Sequence, residues 1–243
     1  MNKKLLSIGE TADIIGVSVD TLRRWDKSGR FSAFRVSPTG NRYYRRQDVE
    51  LFVKNPVALV THWVSNSNPF EPDDKHYCQT RDVFQARLEH FRDELVETVD
   101  GDFSSLVTAI AGEIGNNSFD HNLGNWPDIL GVYFSYSLTE KRIVLADRGL
   151  GVLSTLKRVR PELANHIEAL RVAFTETISS RAPESRGNGL KFVRNVVASH
   201  PINLSFQTGD AILIMKKENS DIDINIADEP IRGCLVIIRF NNI

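Results

Sequence analysis

Much of the architecture of this 243-residue protein follows from nine consecutive residues, Glu113-Ile114-Gly115-Asn116-Asn117-Ser118-Phe119-Asp120-His121. Glu113, Asn117 and His121 are spaced four residues apart, so on a helix they share one face. A face that carries a carboxylate, an amide and an imidazole suits a binding site better than a core. An amide oxygen is a hard ligand for Mg²⁺, and a carboxylate one turn away can orient or deprotonate a water molecule. An exposed polar helix face is the alternative interpretation of these residues alone.

A second polar segment ends an apolar run and reads Val144-Leu145-Ala146-Asp147-Arg148-Gly149-Leu150-Gly151. We expect Asp147 at the end of a strand, where its carboxylate can accept a hydrogen bond from an exocyclic amine such as N6 of adenine. Gly149 and Gly151 have no Cβ, so the backbone there can approach a ligand closely. An ordinary glycine-rich turn would have the same pattern.

A third segment opens a helix after a polar loop and reads Arg186-Gly187-Asn188-Gly189-Leu190-Lys191-Phe192-Val193. Successive backbone N–H groups at a helix N-terminus bind phosphate oxygens. Arg181, Arg186 and Lys191 would add positive charge to such a site. A capped surface helix is the alternative interpretation.

In this order and at these separations, the three segments resemble the N box and the two glycine boxes of the GHKL superfamily. That superfamily includes gyrase B, the Hsp90 chaperones, MutL, histidine kinases and anti-sigma-factor kinases. The resemblance covers about residues 80–243, and residues 233–240 are similar to the family's last strand. It implies an α+β fold of the Bergerat type, a two-layer α/β sandwich with a mixed, mainly antiparallel sheet and helices on one face. ATP would lie between the helices and the sheet.

The resemblance also implies a role for each motif residue. Asn117 would hold Mg²⁺, Asp147 would read adenine, and Glu113 stands where hydrolysing members have their general base. Gly149 and Gly151 would lie behind the adenine base. A mobile lid would cover the phosphates with Arg186, Gly187, Gly189 and Leu190. The sequence departs from the family pattern in its polar lid at residues 175–185, in Cys234 where a threonine often stands, and in the extra polar groups Asn116 and Asp120.

The first 55 residues predict a separate winged helix-turn-helix. Ser7 and Glu10 form a capping-box pattern before a helix over residues 7–15, and a second helix is predicted from Val19 to about Lys27. A two-stranded ribbon over residues 31–45 and a third short helix over residues 47–53 follow. Trp25 and Tyr44 are expected in the core of this module. The second helix of such a motif enters the major groove of DNA.

Cations and polar groups mark the predicted DNA-contacting side of this module. On the second helix they are Thr21, Arg23 and Arg24, and on the ribbon they are Asn41, Arg42, Tyr43 and Arg45. Arginine can bind guanine edges or phosphates. The runs Ile8–Ala12, Gly16–Ser18, Thr21–Asp26 and Arg42–Tyr44, together with Gly29, resemble MerR-type and excisionase-type regulators. Binding to double-stranded DNA as a homodimer is therefore expected, although the long dimerisation helix of MerR regulators is not visible after residue 55. A solvated, charged helical subdomain is the alternative.

The charge distribution supports a polyanion partner for the N-terminal module alone. Residues 1–55 contain eleven Lys and Arg and six Asp and Glu, a net charge of +5 in a chain whose total is −1. Two cysteines are too few for a disulfide framework or a thiolate metal site. No apolar run is long enough to span a membrane, and no signal peptide is visible, so we expect a cytoplasmic protein without a membrane partner.

These patterns predict three parts: a helix-turn-helix over residues 1–55, an irregular connector over residues 56–79 that packs on the second domain, and an ATP-binding domain over residues 80–243. The leading functional hypothesis is a transcription regulator for which ATP binding or hydrolysis is the switch. The alternatives are an anti-sigma-factor-like serine/threonine kinase with a protein substrate, and a slow clamp-type ATPase tethered to DNA. A sensor histidine kinase is disfavoured, because His90 is the sole upstream phosphoacceptor candidate on a long helix and no second long helix precedes it.

Overall fold

The protein forms two compact units, Met1–Glu71 and Pro72–Ile243. The structure, a computed structural model, describes residues 4–15, 18–27, 31–35, 37, 40–54, 56–65, 72, 74–177, 188–217 and 222–241.

The smaller unit begins with a short strand that leads directly into the first helix. Its elements are β1 (Leu5–Ser7), α1 (Ile8–Ile15), α2 (Val19–Lys27), β2 (Tyr43–Arg45), α3 (Arg46–Lys54) and α4 (Pro56–Ser65). The predicted capping box is confirmed: the Ser7 N–H donates to Glu10 Oε2 at 2.8 Å, and the Glu10 N–H donates to Ser7 Oγ at 3.3 Å.

The core of this unit joins the helices to the ribbon. It contains Leu6, Ala12, Leu22, Trp25, Tyr44 and Val49. Trp25 and Tyr44 are therefore core residues, as predicted. The ribbon is present as a Phe34–Tyr43 bridge, but β2 also pairs antiparallel with β1, which the sequence pattern did not indicate. Three residues are too few to show a period, so a strand as short as β1 leaves little signal.

Helix α4 differs from the irregular connector that we predicted to pack on the second domain. It buries Val60, Trp63 and Val64 and is grouped with the smaller unit. Pro56 accounts for the difference. A proline ends the preceding helix, but its missing N–H and fixed φ also suit the first position of a new helix.

The larger unit is a two-layer α/β sandwich, as predicted. Its elements are β3 (Tyr77–Cys78), α5 (Arg81–Val96), α6 (Gly101–Asn122), β4 (Val132–Ser137), β5 (Arg142–Asp147), α7 (Gly151–Leu156), α8 (His166–Thr175), α9 (Gly189–Ser199), β6 (Ile202–Met215) and β7 (Asp223–Phe240). The described strands form an antiparallel sheet in the order β3-β4-β5-β7-β6. Alternate residues of the strands, such as Ile143 and Leu145, share one apolar core with α5, α6 and α9.

The last part of the sheet corrects two predictions. The sequence pattern predicts separate strands over residues 202–208 and 211–216, but β6 is continuous across an irregularity near Gly209. The acidic composition of residues 218–230 predicts a loop, whereas β7 begins at Asp223. Its first residues alternate polar and apolar, and Ile224 pairs with Leu213 and packs against the core. Acidic composition concealed a strand period of two.

Candidate functional site

One cavity of about 700 Å³ lies in the larger unit, between α6, the end of β5 and the starts of α7 and α9. Six residues to which the family resemblance gives a role line it: Glu113, Asn117, Asp147, Gly151, Gly189 and Leu190. They come from three segments that are far apart in the sequence. The fold therefore brings the described parts of the three motifs to one place.

Helix α6 forms the polar wall of the cavity. The side-chain amide of Asn117 donates to Glu113 Oε1 at 3.2 Å, so the two residues share a helix face as their spacing predicts. Gly189, at the start of α9, lies so close that an added Cβ would collide with the Glu113 carboxylate. The Glu113 carboxylate thus lies directly beside the first residue of α9, and the Asn117 amide is bonded to that carboxylate.

Asp147 ends strand β5 with a carboxylate that is almost fully buried. Its Oδ2 accepts from the Ser118 hydroxyl at 2.7 Å, and its Oδ1 accepts from the Gly149 N–H at 2.8 Å. Burial raises the pKa of Asp147, while hydrogen bonds from Ser118 and from the N–H groups of Gly149 and Cys234 oppose that rise. The cavity wall therefore holds a hydrogen-bond acceptor in a fixed position.

The glycine turn after β5 is held from two sides. Asn122 Oδ1 accepts from the Leu150 N–H at 2.8 Å, and Thr208 Oγ1 accepts from the Val152 N–H at 3.2 Å. Gly151 has a φ of +74°, a conformation that favours glycine.

Gly149, which is predicted to lie behind a bound base, is not among the residues that line the cavity of about 700 Å³. A Cβ on Gly149 would collide with the side chain of Asn122. Its absence of a side chain therefore permits the turn to pack against α6.

Among the residues to which the sequence analysis gave no role, three hold the site together: Ser118, which lies inside the first motif, Asn122 and Thr208. Ser118 and Asn122 are spaced four residues apart on α6, and the Asn122 amide donates to the Ser118 carbonyl at 2.8 Å. That spacing was available in the sequence, but short polar residues on a helix are common. Thr208 lies on β6, in a segment without a recognisable motif.

The extra polar groups of α6 bond to α5. Asn116 accepts from Gln85 Nε2 at 2.8 Å, and Asp120 forms an ion pair with Arg81. Arg81 and Gln85 themselves line the cavity. Asn116 and Asp120 therefore tie the two helices together at the cavity's edge.

His121 also lines the cavity, at the third position of the predicted helix face. Burial lowers its pKa, and the positive charge of Arg158 lowers it further. At neutral pH the imidazole is therefore uncharged, and it supplies a hydrogen-bonding group without a positive charge.

The third motif is described only in part. Arg186 and Gly187 lie outside the described residues, as does Arg181. Lys191, on the first turn of α9, bonds to the Thr177 hydroxyl. Among the described residues there is no group of three or more His, Cys, Asp or Glu side chains that could hold a metal ion.

Most of the predicted DNA-contacting residues whose side chains are described are exposed, whereas Arg42 is bonded to a carboxylate. Arg23, Arg24, Asn41 and Arg45 are exposed, and Tyr43 is half-buried. Arg23 forms an exposed ion pair with Asp20 at 2.7 Å. Thr21 lies in α2, and its side chain is outside the described part of the chain.

Arg42 instead contacts Asp26. Its Nε donates to Asp26 Oδ2 at 2.6 Å, and Asp26 also accepts from the Ala33 N–H at 2.9 Å and from Arg35. Burial alone would raise the pKa of Asp26, but the hydrogen bonds from Ala33, Arg42 and Arg35 hold it below its ordinary value.

Among the described residues, no helix has both the length and the apolar character needed to cross a membrane.

Comparison with known proteins found similarities to a protein family, to a curated protein and to solved structures. Residues 6–54 match the family model of the MerR HTH family regulatory proteins. A stretch of 63 residues is 35% identical to the type II methyltransferase M.Eco47II of Escherichia coli, and it amounts to 26% of this chain and 15% of that protein. The chain thus spans a small part of the length of that curated relative.

The third similarity is to a solved structure, the 43K ATPase domain of Thermus thermophilus gyrase B in complex with an aminocoumarin. It covers 63% of this chain and 39% of that chain, with 15% sequence identity and a TM-score of 0.36. For the smaller unit, the family match agrees with the predicted resemblance. This chain therefore carries a helix-turn-helix of the MerR type at residues 6–54.

Proposed function

We propose that this protein is a DNA-binding transcription regulator whose larger unit binds ATP together with Mg²⁺, and that the bound nucleotide sets its affinity for DNA. The observation that carries the proposal is the convergence of six predicted residues, from three separated segments, on one cavity of about 700 Å³. Pockets for small ligands enclose about 300–1,000 Å³, so the cavity suits a nucleotide in size.

Asp147 is the residue that would recognise the base. Both of its oxygens are held in place, by Ser118 and by Gly149, and a carboxylate has about four acceptor positions. It can therefore accept a further hydrogen bond from an amine such as N6 of adenine. Gly151 would lie beside the base, since it lines the same cavity.

The start of α9 would receive the phosphates. The first N–H groups of a helix have no partner within the helix, and Gly189 and Leu190 line the cavity at this point. Arg186 and Gly187 belong to the same motif and would complete the phosphate site as a lid.

Asn117 is the residue that would hold Mg²⁺. Its amide nitrogen donates to Glu113, which leaves the amide oxygen for a cation. Mg²⁺ commonly takes one or two protein ligands and completes its shell with phosphate oxygens and water. When bound, the cation would neutralise phosphate charge.

The charge of the cavity also favours a requirement for a divalent cation. Four carboxylates and one guanidinium lie among its described lining residues: Glu113, Asp120, Asp147, Glu176 and Arg81. A polyphosphate is repelled by such a lining unless a cation accompanies it. We therefore expect chelation of Mg²⁺ to weaken ATP binding.

Hydrolysis would depend on Glu113, which can orient or deprotonate a water molecule. Its contact with Asn117, the proposed ligand of Mg²⁺, favours a slow clamp-type ATPase as the second candidate function. Glu113→Gln should then keep ATP binding and lose turnover. Unchanged turnover would remove Glu113 from this role.

A protein kinase remains a separate candidate that one experiment distinguishes. The chain is incubated with labelled ATP and cell lysate. A labelled protein that is absent with the Asn117→Ala variant would indicate phosphoryl transfer to a protein partner.

DNA binding is proposed for the smaller unit. The support is the MerR-type match over residues 6–54, the net charge of +5 over residues 1–55 and the exposed side chains of Arg23, Arg24 and Arg45. Binding as a homodimer is part of the proposal, because helix-turn-helix dimers read two half-sites of a palindrome.

The test is the DNA affinity of the full chain at one salt concentration, measured without nucleotide, with ADP–Mg²⁺ and with ATP–Mg²⁺. A coupling of about 1–3 kcal/mol between the sites would change the affinity about 5- to 150-fold. Asn117→Ala is the control, and it should bind DNA without responding to nucleotide. Equal affinity in all three conditions would contradict the regulator hypothesis.

A further inference from the structure

Asp26, at the end of α2, has a nearly buried carboxylate that accepts hydrogen bonds from three groups of the ribbon. Its side chain is 7% exposed. It accepts from the Ala33 N–H at 2.9 Å, from Arg42 Nε at 2.6 Å and from Arg35 Nη2. Residues 33–35 and residue 42 lie on either side of the Phe34–Tyr43 bridge. The Asp26 carboxylate therefore links both sides of the ribbon to the predicted recognition helix, α2, through hydrogen bonds.

We propose that Asp26 is a positioning residue for DNA binding, which holds the Arg42 and Arg35 guanidiniums so that together they grip the phosphate backbone beside the major groove. This inference rests on the proposed DNA binding of the smaller unit. Phosphates repel carboxylates, yet in this arrangement the Asp26 carboxylate strengthens DNA binding.

The chemistry of the guanidinium makes this role available. A guanidinium has five N–H donors in a planar fork, and Arg42 uses Nε to reach Asp26. Its two Nη groups can donate to a phosphate while Nε stays bonded to Asp26. The Arg42 side chain is 28% exposed, so part of it is accessible to such a partner.

The charges of the cluster agree with a phosphate partner. Two guanidiniums share one carboxylate, which leaves a net charge of +1 on a tightly connected group. Long arginine side chains lose rotamer freedom when they are ordered on binding. Asp26 orders both side chains before DNA arrives, so less entropy is lost on association.

The charge change in Asp26→Asn separates this role from simple electrostatics. If Asp26 were merely a negative charge near DNA, its removal would strengthen binding. The proposal expects the opposite, about a tenfold loss of affinity for a labelled mixed-sequence duplex at low salt. It also expects a shallower salt dependence, by about 0.9 in the log–log slope for each phosphate that the variant no longer neutralises.

Asp20→Asn is the matched control, because it makes the same charge change on the same helix. The Asp20 side chain is 83% exposed and pairs with Arg23, not with the ribbon. This variant should bind as tightly as the wild-type chain or more tightly, with an unchanged slope. A merely structural loss in Asp26→Asn would lower the active fraction and leave the slope unchanged, and that result would overturn the proposal.

Arg42→Lys provides a second test if Asp26→Asn fails to fold. Lysine keeps the charge but has no fork with which to bridge a carboxylate and a phosphate. The proposal expects Arg42→Lys to lose nearly as much affinity as Arg42→Ala. Wild-type affinity in Arg42→Lys, or in a folded Asp26→Asn, would overturn it. A wild-type chain that binds no duplex at low salt would instead refute the proposed DNA binding, and this inference with it.

Discussion

Asp147 closes β5 with a carboxylate whose two oxygens are bonded to Ser118 and Gly149. A buried carboxylate of this kind would favour ligands that donate to it, because a ligand without a matching donor leaves its remaining acceptor positions without a partner. The strand end and the following glycines were sufficient to predict the acceptor from the sequence. The serine that holds it came from a different element and could not be predicted from the motif.

Replacing Asp147 with Asn tests the proposed recognition of adenine. The amide nitrogen cannot accept from N6, and an unmatched donor costs about 1–3 kcal/mol. Isothermal titration should therefore show ATP affinity about 10- to 100-fold weaker. Asp93→Asn, an exposed change on α5, is the control and should leave the affinity unchanged. Equal affinity in Asp147→Asn would place the base elsewhere.

The same substitution should not lower the free energy of unfolding at neutral pH. Burial raises the pKa of Asp147, so its charged form is disfavoured in the folded state. Its folded pKa lies above its unfolded one, so the carboxylate reduces stability as pH rises past the unfolded pKa. The neutral amide lacks this penalty. Urea unfolding of the wild-type chain and of Asp147→Asn at pH 7 measures the difference in unfolding free energy. A large loss of stability in the variant would contradict this description of the site.

For Asp128 we expect the opposite dependence of stability on pH. It accepts from Arg148 Nη2 at 2.8 Å and from Arg232 Nη1 at 2.8 Å, and Arg148 is almost fully buried. Burial would raise the pKa of Asp128, but the two guanidiniums and the Ile129 N–H hold it below its ordinary value. A lowered pKa contributes stability above the unfolded pKa, and that stability is lost as pH falls through the folded pKa.

Asp128→Asn should therefore cost about 1–3 kcal/mol of unfolding free energy at pH 7. The difference from the wild-type chain should shrink as pH falls below about 4, where the unfolded carboxyl becomes protonated. Urea titrations at several pH values give this difference directly. A gap that stays constant down to acidic pH would show that the ion pairs contribute nothing.

Helices α5 and α6 approach each other closely at Gly115. A Cβ at that position would collide with the buried ring of Phe84. Gly115 lies inside the motif that predicted the site, but a glycine is needed there because the two helices pack closely. Helix periodicity predicts helices over residues 80–98 and 104–121, close to the observed α5 and α6. Their close approach could not be predicted, because it depends on which turns meet in three dimensions.

Gly115→Ala should therefore destabilise the larger unit, by about 1–3 kcal/mol, since a well-packed core resists an added methyl group. Gly101→Ala is the matched control at the exposed start of the same helix, where a new Cβ meets nothing within 4 Å. It should be neutral or slightly stabilising, since alanine restricts the unfolded chain. Urea unfolding compares the two variants, and equal stability would contradict the close packing.

The elements that the sequence analysis described wrongly share a cause. Helix α4 was assigned as irregular because it begins at a proline and adjoins the Asn-, Ser- and Pro-rich residues 65–73, and the first part of β7 because acidic residues are frequent in it. In both cases the apolar residues of the segment were well placed for burial, as with Trp63 and Ile224. Tertiary burial outweighs local composition when enough apolar surface is available.

The whole molecule combines a basic unit and an acidic unit. That division was visible in the charge distribution, and the MerR-type match identifies the first of the two. What the sequence could not supply is the arrangement inside the larger unit, where α6, β5, α7 and α9 meet around one cavity. Long-range assembly of that kind follows from the fold of the entire unit.

Titration of ATP into the full chain, with Mg²⁺ and with a chelator, tests the central claim most directly. We expect saturable binding with Mg²⁺, weaker binding with the chelator, and a marked loss with Asn117→Ala. At about 100 times Kd, ATP–Mg²⁺ should also raise the free energy of unfolding by about 2.7 kcal/mol. A titration without binding, or one that Asn117→Ala leaves unchanged, would contradict the nucleotide site and the switch that depends on it.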